Sequence, residues 1–596
     1  MPKIEVYRDV LVSSIGVGSL SDHQLEEIFP AAKAELDEPA DANGIMKVEL
    51  NDTNRPDLWS TAGLGRQLRI YKGAGAPKYT FFSDASVRRE HGNRRVVVDK
   101  SVQKVRPWVV GFVMTGKPIS EAMLKDLIQT QEKLTWNYGR KRRSIAMGVY
   151  RSDLIAYPVH YRAVDPDTTR FTPLQSDREL SMREILTEHP KGQEFGHIVA
   201  DEKLFPLLTD DDGEVLSFPP VINSATLGAV QEGDASLFIE LTGSDLDSLL
   251  HAASIVACDI DDMGYTVEPV QVEYPYDTPY GRNITVPYYF QKPQSAALSE
   301  INALLGETLS LDEVVTALKH MGITATEIAG STGTRGSAEV LIRVPEYRND
   351  FLHAVDIVED VMIGRGMDSF APEMPRDFTV GRLTPLEEFT RRIKSTMVGL
   401  GFQEMIFNYL GSGKDYIELM YDELDREAAF ARAVRIANPM SENYEYVRPS
   451  VLPSLLASES VSGNAVYPHH IFESGKVAVR DDDEVTGTAT RTTLGFLSAD
   501  REAGFNMINS HVSAILFYMG RDYELRDVRD SRFIPGRAAQ IVAPGTGKKG
   551  KAPSVLGVFG ELHPRVLENW GVQVPCTAGE LILERLLEQG GRGSTD

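Results

Sequence analysis

The stretch NPMSENYEYVRPSVLPSLL, residues 438–456, followed by HHIFESGKV, residues 469–477, decides the fold of the second half of the chain. A strand leads into a loop that carries Arg448, Pro449 opens a helix, and a second strand brings Phe472, Glu473 and Gly475. An ordinary strand–loop–helix–strand connection is the plain account, but the string is more particular than such a connection needs. Upstream, after the Pro-rich link APEMPRD, Thr384 caps a helix with Pro385 in its first turn and Glu387 at the third position. Phe389, Ile393 and Met397 then fall on one face and predict a core contact. The runs EMIFNYL, AVRIA, HHIFESGKVAV, TTLGFLSA, RAAQIVA and SVLGVFG are strand-like, with few helices between them. They predict a mainly antiparallel sheet over 378–596 rather than a repeating βαβ fold.

Working toward the N-terminus, residues 276–372 form a shorter segment with clear punctuation. Ser310 and Glu313 make a capping box, Val314, Leu318 and Met321 give a buried face, and Gly322 stops the helix. The strand AEVLIRV ends at Pro345, and a second helix is expected from Asp350 to Gly364. This is a small helix–strand–helix domain. Residues 91–275 open with strand-like runs at 95–99 and 108–115. A helix from Ser120 then places Leu124, Leu127, Ile128 and Leu134 on one face and closes on Arg140, Lys141, Arg142 and Arg143. Those four cations either complement the helix C-terminal dipole or contact phosphate. SIAMGVY, LFIELTG and a helix carrying Leu246, Leu249, Leu250, Ala253 and Val256 complete an α+β domain. In residues 1–90, either Asp57 or Ser60 caps a helix that buries Leu64 and Leu68 and stops near Gly73. A basic stretch, Arg88 to Arg95, marks the boundary that follows. The whole is therefore an α+β multidomain chain.

At 596 residues several domains are required. Two cysteines, Cys258 and Cys576, support neither a disulfide framework nor a Cys-rich zinc module, which fits a reducing cytoplasm. MPKIEVYRDVLVSS lacks the basic start and apolar core of a secretion signal, and no run is apolar enough to span a bilayer. A net charge of −24 argues against non-specific coating of nucleic acid, though not against local basic patches.

Several motifs fail on inspection. APGTGKKGKA has P-loop spacing, but Ala552 stands where a Ser or Thr must reach magnesium, and Pro553 precedes a strand rather than a helix. There is no HExxH pair and no GxSxG, and neighbours on a strand such as His469 and His470 point to opposite faces. The acidic set Asp350, Asp356, Glu359 and Asp360 is read first as an N-cap plus a solvated acidic face. Carboxylates crowded together would also suit a hard cation such as Mg2+.

Across nearly its full length the chain resembles the beta-subunit family of phenylalanyl-tRNA synthetases, in the archaeal and eukaryal type. The likeness is carried by ELNDTNRPDLWSTAGLGRQLR, LIQTQEKLTWNYGRKRRSIAMGVY, LSFPPVINS, LFIELTGSD, VPEYRNDFLHAVDIVEDVMIGRG, the Asn438 block and FGELHPRVLENW. The resemblance implies an (alpha-beta)2 heterotetramer acting on tRNA(Phe), with ATP and phenylalanine handled by the alpha subunit. It implies that 378–596 is a class II synthetase-like domain that does not catalyse. Arg448 reads as a remnant of the arginine that holds the α-phosphate, while AGELILERLLEQ has one Gly and a Leu-rich helix in place of a Gly-rich element with a second arginine. It further implies a magnesium site at Asp350, Asp356, Glu359 and Asp360. The second segment resembles the family's editing domain, which hydrolyses tyrosine wrongly attached to tRNA(Phe). The pocket so implied comprises Leu208, Ser217, Asn223, Glu240 and Thr242, with Glu240 accepting the tyrosine hydroxyl and Ser217 and Thr242 orienting the ester or a water. The plain alternative for Glu240 is an outward-facing strand residue, and no residue declares itself the general base. Rival readings are a stand-alone deacylase of misacylated tRNA and a non-enzymatic nucleic-acid-binding protein. The acidic Asp350–Asp360 helix does not suit the second.

Overall fold

A computed structural model describes residues 2–16, 18–52, 54–83, 94–328, 338–544 and 554–589. The Gly/Lys-rich stretch 545–553 and residues 88–93 of the basic stretch lie outside the described residues. The chain divides into two compact units, Met1–Met374 and Pro375–Asp596.

The first unit holds three main sheets. Lys3–Tyr7, Ile45–Leu50 and Ala34–Glu38 pair antiparallel in that order, because Ile45–Leu50 alternates half-buried and buried residues. The helix Thr61–Tyr71 is capped by Ser60, whose hydroxyl accepts from Gly63 N at 2.9 Å, and Leu64 and Leu68 are fully buried. Asp57 is not the cap, since both its oxygens accept from the buried Arg55 at 2.8 Å.

A ten-stranded sheet dominates the unit. From one edge it runs Ile222–Asn223, Val215–Phe218, Phe205–Thr209, Val159–Val164, Arg95–Val98, Thr266–Glu273, Trp108–Thr115, Ser236–Gly243 and Ile145–Arg151. Asn283–Val286 adds to Thr266–Glu273, so the sheet continues past residue 275. The helix Leu246–Asp262 packs on it with all five of its expected face residues buried. The helix Glu121–Lys133 is capped by Ser120 as expected, but Ile128 is exposed and Met123 is buried in its place. A wider turn at Leu134–Tyr138 ends this helix.

The third sheet, Gln294–Ala297, Glu339–Arg343 and Thr324–Glu327, carries the helices Leu311–His320 and Ala354–Arg365. The Ser310–Glu313 capping box is present, and Val314, Leu318 and Met321 are buried. The last helix begins at Ala354 rather than Asp350, with His353 and Asp356 forming its cap.

In the second unit a seven-stranded sheet runs Gln403–Glu404, His469–Arg480, Thr488–Ala499, Cys576–Ile582, Val555–Leu562, Phe533–Val542 and Glu524–Asp527. All its pairs are antiparallel except the first. The helix Pro385–Gly399 is capped by Thr384 and buries Phe389, Ile393 and Met397. EMIFNYL is not one strand. Its first residue ends the short Gln403–Glu404 strand and its last opens Leu410–Gly411, which joins a different, three-stranded sheet, so Ile406 between them is left exposed.

Candidate functional site

Glu240 sits in the middle of the Ser236–Gly243 strand, and its direct partners on either side are Gly111 and Gly148. Directly opposed residues in a sheet share a face, so neither neighbour offers a side chain to cover the carboxyl. Tyr150, two residues beyond Gly148, fills that space. A Cβ at Gly148 would stand 2.0 Å from the Tyr150 hydroxyl and 2.8 Å from Glu240 Oε1. The Tyr150 hydroxyl lies 2.9 Å from Glu240 Oε1 and 2.8 Å from Ser217 Oγ. Ser217 pairs with Leu208 on one side and Asn223 on the other, so these three form one row across three strands. Thr242, two residues along from Glu240 and on the same face, accepts from Arg106 Nε at 3.0 Å.

All five expected pocket residues therefore lie on one sheet, and Tyr150 ties the Ser217 row to Glu240. Sequence reading missed Tyr150 and Arg106. Tyr150 had a usable signal, since Gly148 and Tyr150 are spaced to share a strand face and a tyrosine can lie over a glycine. Arg106 had none. It is buried, and donates to the Arg143 and Arg142 carbonyls at 3.1 and 3.2 Å as well as to Thr242.

Glu240 is 2% exposed, which disposes of the outward-facing alternative. Burial pushes its carboxyl up to about 8, against the opposing influence of the Tyr150 hydroxyl and the Arg106 guanidinium. Burial likewise pushes Arg106 down to about 10. Glu240 Oε2 is buried and has no hydrogen-bond partner. Leaving such an atom unsatisfied costs on the order of 1–3 kcal/mol, so an arriving hydroxyl would be welcome there.

The four cations behave differently from one another. Arg140, Lys141 and Arg142 are consecutive left-handed residues with φ of 51°, 55° and 66°. Their turn satisfies the preceding helical carbonyls through the backbone, Lys141 N to Trp136 O and Arg142 N to Thr135 O, both at 2.9 Å. Arg140, Lys141 and Arg143 are exposed. Arg142 is half-buried and committed through Nη1, which donates to the Pro220 and Val221 carbonyls at 3.2 and 3.0 Å, and it lies 4.0 Å over the Phe195 ring.

The acidic quartet does not converge. Arg348, fully buried, grips Asp350 through two nitrogens at 3.0 and 2.5 Å and also donates to Asp360. Burial alone would raise the Asp350 carboxyl, but Arg348 and Arg55 hold it well below the usual carboxylate range. Asp356 Oδ2 accepts from the Leu352 and His353 amides at 2.7 Å as a helix cap, and Glu359 pairs with Lys33 at 2.8 Å. A guanidinium already supplies the positive charge that a cation would bring, and the remaining two carboxylates face other partners. Among the described residues no group of three or more His, Cys, Asp or Glu is placed to hold a metal ion.

Arg448 is also closed. It is fully buried, its two terminal nitrogens donate to Glu473 at 2.7 and 2.9 Å, and Nε donates to the Lys476 carbonyl at 2.9 Å. A Cβ at Gly475 would lie 2.0 Å from Arg448 Nη2, so the glycine makes room for this fork. Each of its three nitrogens thus donates a hydrogen bond inside the fold, and burial shuts the residue away from the surface.

Comparison with known proteins gives consistent matches. The family model for the phenylalanyl tRNA synthetase beta chain CLM domain matches residues 371–583, and that for the tRNA synthetase B5 domain matches 295–367. A phenylalanine–tRNA ligase beta subunit of Borrelia hermsii is 45% identical over 98% of this chain and all of the relative. One from Treponema pallidum is 46% identical over 91% of this chain and 87% of its own length. An N-terminal fragment of the phenylalanyl-tRNA synthetase beta subunit from Pyrococcus horikoshii superimposes with a TM-score of 0.55. It is 34% identical and covers 61% of this chain and all of the fragment. Among the described residues no helix is long and apolar enough to cross a membrane.

Proposed function

The chain belongs to the phenylalanine–tRNA ligase beta-subunit family, and from that premise we propose how it divides the work with an alpha subunit. The two assemble as an (alpha-beta)2 heterotetramer in the cytoplasm and charge tRNA(Phe) with phenylalanine. ATP and phenylalanine are handled on the alpha subunit. This chain supplies the platform and the editing pocket, which removes tyrosine from mischarged tRNA(Phe). The archaeal and eukaryal type is supported by the likeness to the Pyrococcus horikoshii fragment, although the two full-length relatives above are bacterial.

One observation carries the editing reading: a buried carboxyl, Glu240, held at Oε1 and unpartnered at Oε2. Tyrosine differs from phenylalanine by one hydroxyl. An apolar pocket rejects such an isostere only about a hundredfold, whereas a site that needs the hydroxyl can discriminate by roughly 10⁴ or more. Glu240 Oε2 meets the phenol, and phenylalanine leaves it unsatisfied. In the assembled enzyme, Glu240→Ala should leave phenylalanine charging intact while slowing removal of tyrosine by about tenfold or more. Tyrosine removal at the unaltered rate would refute the assignment. The buried Arg448, paired at two points with Glu473, supports the companion proposal that the second unit does not form adenylate. ATP–pyrophosphate exchange by this chain alone would overturn it.

A further inference from the structure

Tyr150 stands outside the five pocket residues that the family resemblance implies, yet it touches both sides of the pocket. We infer that Tyr150 is a positioning residue of the editing pocket, a hydroxyl relay that fixes Glu240 by Oε1, leaves Oε2 to read the substrate phenol, and couples the direction of the Ser217 hydroxyl to the charge on Glu240. The inference rests on the editing reading above and deepens it.

The argument turns on proton counting. A phenol hydroxyl has one proton and can accept through its oxygen. Tyr150 is within hydrogen-bond distance of two oxygens, Glu240 Oε1 at 2.9 Å and Ser217 Oγ at 2.8 Å, so it cannot donate to both. When Glu240 is ionised, its carboxylate only accepts, so Tyr150 donates to it and gives up its donation to Ser217 Oγ, whose lone pair is freed. When Glu240 carries a proton on Oε1, that proton goes to the Tyr150 oxygen. Tyr150 then donates to Ser217, whose own proton is released to point elsewhere. The charge on one side of the pocket thus sets whether Ser217 offers a lone pair or a proton on the other. Tyr150 touches neither ester nor water in this scheme.

The rest of the surroundings leaves the relay intact. Arg106 faces Glu240 electrostatically but places its hydrogen bonds on Thr242 and on the Arg142 and Arg143 carbonyls. Tyr161, on Val159–Val164, also feels Glu240, but its hydroxyl donates to the Arg106 carbonyl at 2.8 Å. The opposed residues on the two flanking strands are glycines and carry no charge. Tyr150 is therefore the one side chain on these elements that hydrogen-bonds Glu240.

The test uses the assembled enzyme with tyrosyl-tRNA(Phe), measuring deacylation from pH 6 to 9 with spontaneous ester loss subtracted. Tyr150→Phe removes the donor that favours the carboxylate. The inflection belonging to Glu240 should move up by about one pH unit, and the rate at pH 7 should fall about tenfold. Replacing Tyr150 by 3,5-difluorotyrosine keeps the ring and makes the hydroxyl a stronger donor, so the inflection should move down; this arm stands even where the phenylalanine variant folds poorly. In a Glu240→Gln background neither change should move the profile. An unshifted inflection in both Tyr150 variants, while Glu240→Ala still slows deacylation, overturns the relay and leaves the editing reading standing. Faster deacylation by Tyr150→Phe overturns it too, because Tyr150 would then be a plug in the phenol site. Absence of deacylation by the unaltered enzyme removes the editing reading itself.

Discussion

Arg448 in the second unit and Glu240 in the first are both shut inside a sheet-based core, and they are satisfied to different degrees. Arg448 places Nε and both terminal nitrogens on Glu473 and the Lys476 carbonyl. Glu240 is held at one oxygen and left bare at the other. A buried charge paired at two points with an opposite charge is architecture, whatever role the same residue type plays in a working synthetase. A buried acid with an orphaned atom is a place where a ligand can gain what the protein withholds. Arg348 belongs with Arg448, because it neutralises Asp350 and Asp360 from within the chain.

The largest effect should come from breaking the buried Arg448–Glu473 pair. Arg448→Ala leaves Glu473 buried without its cation and should destabilise the second unit by about 3–5 kcal/mol in denaturant unfolding. Replacing Arg448 and Glu473 together by methionines should restore most of that loss. If the single variant is as stable as the parent, Arg448 is not structural and the contrast fails.

Glu240 should show the opposite sign. Its folded value of about 8 lies above the ordinary 4.5, so the unfolded chain releases its proton first as pH rises. The stability it contributes is whole below about pH 4.5 and falls progressively until about pH 8. Glu240→Gln, which cannot ionise, should therefore stabilise the first unit, by on the order of 4 kcal/mol at pH 8 and by under about 1 kcal/mol at pH 5. Equal unfolding midpoints for variant and parent at pH 8 would count against a desolvated carboxyl.

A gentler disturbance is Gly148→Ala, whose methyl would stand 2.0 Å from the Tyr150 hydroxyl. It should cost about 1–3 kcal/mol and slow tyrosine removal by displacing Tyr150. Unchanged stability and unchanged deacylation together would show that Tyr150 has room to move. Chelation should do less still. With arginine rather than metal between Asp350 and Asp360, EDTA should leave the Tm of the isolated chain unchanged, and a clear drop would revive the cation site. The smallest effects belong to the basic turn. Arg140, Lys141 and Arg143 changed singly to Ala should each lower tRNA affinity modestly and reduce the salt slope by up to about one. Arg142→Ala should act on stability instead, since its guanidinium holds the Pro220 and Val221 carbonyls.

Much of the architecture was legible because it is written in short-range chemistry. Ser120, Ser310 and Thr384 each cap a helix through the amide three residues on, a contact the local string guarantees. Where the sequence offered two candidates, as with Asp57 and Ser60, the outcome turned on Arg55, which claims Asp57. Ile128 and Ile406 sit at positions the apolar pattern marks as core or strand, yet both are exposed. Periodicity counts residues and does not know where a neighbouring element stops. The quartet shows the same limit: its spacing was readable, but Arg348 had to be seen folded onto it.

The string of residues by itself determined the helix ends, the antiparallel character of the second unit and the family likeness, because each is fixed within a few positions along the backbone or by motifs in order. Only the tertiary structure decided which buried charges are paired and which, Glu240 among them, keep an unpartnered atom. Tyr150 meets Glu240 across 90 positions and Ser217 across 67, and Arg448 meets Glu473 across 25. Whether a polar atom inside a protein finds a partner depends on segments brought together from afar, and the unpartnered oxygen of Glu240 exists only once they have met.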